Sequence, residues 1–156
     1  MLSVLTLLSA LGCGLVAGIF FAFSTFVMRA LANLPPAQGI AAMQSINVAV
    51  INPWFMTAFF GTAAACVLMM ILSLLRWNDP GAAYQLAGSL LYLVGALLVT
   101  ILFNVPRNDA LAAVVPASAE GTRLWAGYLT TWTAWNHVRT VAALAAAASL
   151  TIALCY

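Results

Sequence analysis

Four long apolar runs dominate the chain, at about residues 2–29, 52–76, 82–104 and 123–155. Each is long enough to cross a bilayer, since a spanning helix needs about 20 apolar residues. The fourth run exceeds that length and predicts an extended helix. The pattern predicts an all-α, integral membrane four-helix bundle formed by one domain, residues 1–156.

Shorter breaks separate these runs. Gln38–Val50 is too short and too polar to span, so it predicts an interfacial helix between spans one and two. Pro53 follows Asn52 at a first-turn position, where its missing N–H costs nothing. Pro106 disfavours helix in the residue before it, so we expect the third helix to open near Asn104.

The composition strengthens the membrane assignment. Hydrophobic residues make up 65% of the chain and charged residues 5%, with a mean hydropathy of +1.09. A soluble domain is usually about 25% charged, so the soluble globular class is excluded. The net charge of +2 has no clustered basic face. The expected partner is therefore the lipid bilayer and not a nucleic acid.

Counting spans places most polar residues on one membrane side. The ends of spans one and three and the beginnings of spans two and four meet there, and we call this end the polar mouth. Four arginines near this side against one on the other predict a cytoplasmic mouth, in a bacterial inner membrane. Its polar residues are Arg29, Gln44, Asn47, Asn52, Asn104, Arg107, Asn108, Asn136, His137 and Arg139.

The stretch Trp125–Thr140 carries the most informative chemistry, because it holds the single histidine and a nearby arginine in an apolar run. Trp132, Asn136 and Arg139 share one helical face. His137 suits a general base because its reference pKa is near 6.5. Interhelical hydrogen bonding explains His137 equally well, and a snorkelling interfacial anchor is the alternative for Arg139.

No metal and no organic cofactor is predicted. A catalytic zinc needs three protein ligands, and the one histidine and the few acids form no such set. Haem ligation by His137 stays open. Cys13, Cys66 and Cys155 lie on three different segments without a C-x-x-C pair, which favours packing roles.

Small residues at four-residue spacing on the first helix include Gly14 and Gly18, a pattern that lets helices approach closely. Plain helix packing within the bundle is the favoured interpretation, and the alternative is a homo-oligomer contact through Gly14 and Gly18. The alternative function is accordingly a non-enzymatic small-molecule-binding or scaffold membrane protein acting as a homo-oligomer.

Four segments carry a resemblance to a known family. They are GIFFAFSTFVMRAL (Gly18–Leu31), MQSIN (Met43–Asn47), NVPRND (Asn104–Asp109) and WNHVRT (Trp135–Thr140). In this order they resemble the anthrone oxygenase-like family of small four-helix membrane proteins, long catalogued only as a domain of unknown function. The positions that match are Gln44, Asn47, Asn104, Asn108, Trp135, Asn136 and Arg139.

The resemblance implies a membrane-embedded, cofactor-independent monooxygenase that oxidises a small polycyclic anthrone-type substrate with O2. On this view His137 removes the proton, and Arg139 or Asn104 stabilises the enolate oxygen. Trp132, Trp135 and Phe23 would flank the aromatic rings. The remaining substrate-binding residues would be Asn136, Asn108, Gln44 and Asn47.

Overall fold

The computed structural model describes residues 2–156, which form five helical stretches and no strand. These are α1 (Leu2–Ala32), α2 (Pro36–Ala49), α3 (Pro53–Leu75), α4 (Ala82–Ala112) and α5 (Ala119–Ala153). The all-α class and the helical membrane bundle are therefore confirmed.

Three of these stretches, α1, α3 and α4, are long and apolar enough to cross a membrane. Large apolar side chains such as Leu8 and Leu11 on α1 and Leu74 on α3 point away from the bundle, as a lipid-facing surface requires. The 35 residues of α5 extend over about 52 Å at 1.5 Å per residue. This helix is longer than the hydrocarbon core of roughly 30 Å.

The long helices pack side by side in a ring. α1 lies against α5, α5 against α4, α4 against α3, and α3 against α1. Two glycines of α4 permit its close approach to α5: a Cβ on Gly88 would meet Leu150, and one on Gly95 would meet Ala142. Contact through such small residues is the usual way in which membrane helices pack closely.

α2 closes one end of this ring. Its buried Ile40 and Met43 join a second apolar cluster with Trp125, Tyr128 and Trp132 of α5. Asn52 caps the next helix by accepting a hydrogen bond from the Phe55 N–H at 3.1 Å, as its position before Pro53 predicts. The chain therefore passes directly from α2 into α3 at the polar mouth.

α4 does not end where Pro106 predicts. It continues to Ala112, with π-helical turns at Leu91–Leu98 and Thr100–Asn104. Pro106 lies in the first turn of the α-helical segment that follows the second π-helical stretch, where a missing N–H is tolerated. Arg107 Nη1 donates to the Phe103 carbonyl at 2.6 Å and satisfies an acceptor near this break.

The predicted oligomer contact lies on the outside of the molecule. A Cβ built on Gly14 or on Gly18 meets no atom within 4 Å. Helix packing inside the molecule uses Gly12 instead, which lies against Thr62 of α3. Association through Gly14 and Gly18 stays a prediction.

Candidate functional site

A cavity of about 630 Å³ lies at the polar mouth. Its walls come from Ile19, Phe20 and Phe23 of α1, from α2, from the beginning of α3, from the last turns of α4 and from the middle of α5. The volume falls within the roughly 300–1,000 Å³ typical of small-molecule sites. Most of the lining is apolar, and the polar residues among it are Gln44, Asn47, Thr100, Asn108, Asp109, Asn136 and Arg139.

Arg139 is the buried cation of this cavity, with only 5% of its surface exposed. Nη1 donates to Thr100 Oγ1 at 3.1 Å and Nη2 donates to Asn136 Oδ1 at 2.7 Å. Its Cζ lies 4.2 Å from the ring centroid of Phe20 and 5.1 Å from that of Trp132. The side chain is buried inside the bundle and does not extend to the surface as a snorkelling anchor would.

The partners of Arg139 are all neutral. Within residues 2–156 no carboxylate contacts the guanidinium, and its Nε–H is buried without a hydrogen-bond acceptor. A buried charge is costly unless it is paired. The cavity therefore holds a positive charge that no carboxylate pairs with, and its Nε–H has no acceptor among residues 2–156.

Asn136 fixes the orientation of that charge. Its Nδ2 donates to the Phe20 carbonyl and to Ser24 Oγ, both at 2.7 Å, so that Oδ1 faces Arg139. Ser24 Oγ also lies 2.9 Å from Thr140 Oγ1. The π-helical end of α1 is thereby tied to α5, and the guanidinium position is set before any ligand binds.

A second polar group lies at the other end of Trp132. Trp132 Nε1 and the Tyr128 hydroxyl each donate to Asn108 Oδ1 at 2.8 Å. Trp132 thus contacts Arg139 through its ring face and Asn108 through its indole nitrogen. One aromatic side chain links the two polar groups of the cavity wall.

Aromatic rings form much of the remaining wall. Phe23 lies 5.7 Å from Trp132 between centroids. On the opposite side Phe55 stacks on Phe59 at 5.8 Å, and Phe59 meets Phe20 edge to face at 6.3 Å. Such surfaces favour a flat aromatic ligand over an aliphatic one.

Two predicted binding residues reach the cavity from α2. Gln44 Nε2 donates to the Leu111 and Val114 carbonyls at 2.8 and 3.1 Å, so its amide nitrogen holds the end of α4. Asn47 Nδ2 is buried and has no hydrogen-bond partner among the described residues. Both side chains line the cavity.

Three predicted site residues lie outside the cavity lining. His137 is exposed on the outer face of α5. Trp135 is half-buried and stacks on Phe103 with centroids 3.6 Å apart. Asn104 is buried and donates Nδ2 to the Trp132 carbonyl at 3.3 Å, while its Oδ1 has no partner within residues 2–156. The structure therefore brings Arg139 together with Asn136, Trp132 and Phe23, and it separates them from His137.

Sequence reasoning missed several residues that line the cavity or orient its polar side chains. Thr100 and Ser24 orient Arg139 and Asn136, and Phe20 and Phe59 supply ring faces. Thr100 and Phe59 lie inside apolar runs without any local motif. Their role follows only from the way in which the helices meet.

No three His, Cys, Asp or Glu side chains among residues 2–156 gather closely enough to hold a metal ion. Cys13 and Cys66 are buried in the main apolar core, away from the cavity lining, and Cys155 is exposed. The absence of a cofactor from the reaction stays a prediction.

Comparison with known families gives a match to the model described as anthrone oxygenase, over residues 55–149. This match covers more than half of the chain. The chain belongs to the anthrone oxygenase family. No curated protein and no solved structure matches it.

The part of this anthrone oxygenase family member that matches includes Asn108 and the α5 residues Trp132, Asn136 and Arg139. Phe23, Gln44 and Asn47 precede it. Family membership supports a general oxygenase-type function. The cavity described above adds the residues on which a more specific proposal depends.

Proposed function

We propose that this protein oxidises a planar, anthrone-type aromatic substrate with O2 in the cavity at the polar mouth. The main support is the guanidinium of Arg139, which is buried without a carboxylate partner and whose Nε–H has no acceptor among residues 2–156. An ionisable residue at membrane depth is by default functional, and this one lies between aromatic walls.

The electrostatics of the cavity favour an anionic ligand or transition state. An arginine side chain keeps its charge in proteins, and Thr100 and Asn136 offer only dipoles to compensate it. An oxyanion at Nε would supply the missing charge. Because the charge is already oriented, this stabilisation requires little reorganisation during the reaction.

An anthrone provides such an oxyanion when its central CH2 loses a proton to give the enolate. A hydrogen bond to a charged group contributes about 1.5–3 kcal/mol, which makes the proton loss roughly 10- to 100-fold more favourable. The enolate carbon then adds O2 to form a peroxide. Loss of water from the protonated peroxide leaves the quinone carbonyl, so anthrone and O2 become quinone and H2O.

The proton acceptor in this proposal is water or hydroxide entering through the mouth. His137 lies outside the cavity lining, so the proposal assigns it no role. Asp109 also lines the cavity, but among residues 2–156 no hydrogen bond joins its carboxylate to Arg139, so the proposal assigns it no role either.

Oxygen consumption by the purified, detergent-solubilised protein tests this function. Wild type with an anthrone should consume one O2 per quinone formed, and Arg139→Gln should lose most of that rate. Metal analysis and an absorption spectrum accompany the assay. Binding of the anthrone without oxygen uptake above the uncatalysed rate would instead support the non-enzymatic binding function.

A further inference from the structure

Part of the cavity wall is also part of the outer surface of the bundle. Phe60 of α3 and Ile101 and Val105 of α4 line the cavity, yet 52%, 49% and 41% of their surfaces are exposed. Trp132, on the opposite wall, is only 5% exposed. The three exposed residues therefore lie at the rim, where the cavity meets the outer surface. We call this rim, with Met56 and Phe60 on one side and Ile101 and Val105 on the other, the lateral gap.

The helices α3 and α4 separate at the lateral gap. Deeper in the bundle α3 packs against Ala82–Leu98, and the Tyr92 hydroxyl of α4 donates to the Phe59 carbonyl of α3 at 3.0 Å. No comparable packing joins α3 to Thr100–Ala112. The side-chain hydrogen bonds of this part of α4 go to α4 itself and to α5. The π-helical stretch Thr100–Asn104 begins here, and such stretches bend helices and are frequent at functional sites.

The other helix pairs around the cavity are joined to each other. Asn136 ties α5 to α1, and Asn104 ties α4 to α5, each by a hydrogen bond to a backbone carbonyl. The edge-to-face contact of Phe20 with Phe59 closes α1 against α3. Gln44 ties α2 to the end of α4. A bulky ligand entering along any of these routes would have to break such a contact, and the lateral gap offers a route without one.

The lateral gap lies at the depth of the hydrocarbon core. Trp54, in the first turn of α3, is 87% exposed, as expected for an aromatic residue at the membrane interface. Phe60 lies six residues further along α3, about 9 Å towards the middle of the bilayer at 1.5 Å per residue. Each half of the hydrocarbon core is roughly 15 Å thick. Acyl chains, and not headgroups, therefore face the gap.

We infer that the apolar ligand of the cavity enters and leaves through the lateral gap, directly from the acyl chains of the bilayer. The inference rests on the proposed function for the identity of that ligand. Because transfer of apolar surface out of water is favourable, a planar aromatic compound resides in the bilayer before it binds. Sideways entry brings it to the cavity without a passage through water, between Phe60 and Ile101.

A phosphatidylcholine that carries a phenyldiazirine on one acyl chain tests this path without any anthrone. On irradiation the diazirine loses N2, and the resulting carbene bonds to the side chain that it touches. Because the probe is part of a phospholipid, it reaches the cavity only sideways. In liposomes containing the wild-type protein, mass spectrometry should find label on buried Trp132 as well as on Phe21, which faces the lipid on α1. The amount on Trp132 divided by the amount on Phe21 is the labelling ratio.

Ile101→Phe/Val105→Phe narrows the gap with larger side chains that have room on the lipid side. We expect the labelling ratio to fall several-fold in this variant. Leu98→Phe/Leu102→Phe is the matched control, because both leucines are exposed on α4 and neither lines the cavity. The control should keep the wild-type labelling ratio.

Phe60→Ala widens the gap from the α3 side and should raise the labelling ratio, so the test does not depend on the folding of the narrowed variant. Wild-type protein labelled on Phe21 but not on Trp132 would overturn the inference. So would a labelling ratio that the narrowed variant and its control change equally, or that Phe60→Ala leaves unchanged. Oxygen uptake with an anthrone in the same liposomes reports on the proposed function separately: its absence with the expected labelling ratios would overturn that function and leave the lateral gap standing.

Discussion

Replacement of Arg139 by methionine separates function from stability in this protein. The substitution removes the cation and keeps an unbranched apolar side chain in the same space. If the guanidinium stabilises the enolate oxygen, its loss should lower kcat by about 100- to 1,000-fold, or roughly 2.7–4 kcal/mol of transition-state stabilisation. Arg139→Lys keeps the positive charge but loses the planar guanidinium group. Its rate should therefore lie between those of wild type and Arg139→Met.

The effect on stability is the difference between two opposing contributions. Relief of an uncompensated buried charge stabilises the fold, and similar replacements are neutral or stabilising by about 1–4 kcal/mol. Against this, Asn136 Oδ1 loses the donor at 2.7 Å, which costs about 1–3 kcal/mol. The contacts of the desolvated guanidinium with the Phe20 and Trp132 rings are also lost, and such a contact contributes about 2 kcal/mol or more. These opposing contributions are of similar size, so the Arg139→Met protein should remain folded.

The assay pairs initial rates of oxygen uptake with thermal unfolding in the same detergent. We expect the Arg139→Met protein to be folded and inactive. A variant that keeps the wild-type rate would refute the oxyanion role. A variant that unfolds in proportion to its lost activity would show that Arg139 is needed for structure and not for chemistry.

Three further predictions concern His137, two glycines and Gln44. His137→Ala should keep at least half of the wild-type rate, because the His137 side chain is exposed outside the cavity lining. A more than tenfold loss of oxygen uptake would instead identify His137 as the base. Gly95→Ala should destabilise the fold by about 1–3 kcal/mol, since the new Cβ collides with Ala142, while Gly14→Ala should leave the unfolding temperature unchanged. Gln44→Leu should cost about 1–3 kcal/mol by freeing two carbonyls at the end of α4; an unchanged melting temperature would show that water replaces both bonds.

Much of the architecture can be read from the sequence. The apolar runs predict the long helices, and Asn52-Pro53 predicts the beginning of α3. Counting the spans predicts that polar residues from distant segments share one end, and the cavity lies there. Helical spacing also places Asn136 and Arg139 on one face, where their side chains form a hydrogen bond. These inferences succeed because they depend only on helix length and periodicity.

The tertiary structure alone decides which side of α5 faces the cavity. His137 and Arg139 lie two residues apart and therefore point about 200° away from each other. In a soluble helix an apolar stripe would mark the inner face. α5 has no such stripe, because its buried positions include polar residues and its exposed positions include large apolar ones. Shape complementarity determines the inner face: Gly88 and Gly95 of α4 leave room for α5 to pack closely. In this packing Arg139 faces inwards and His137 faces outwards.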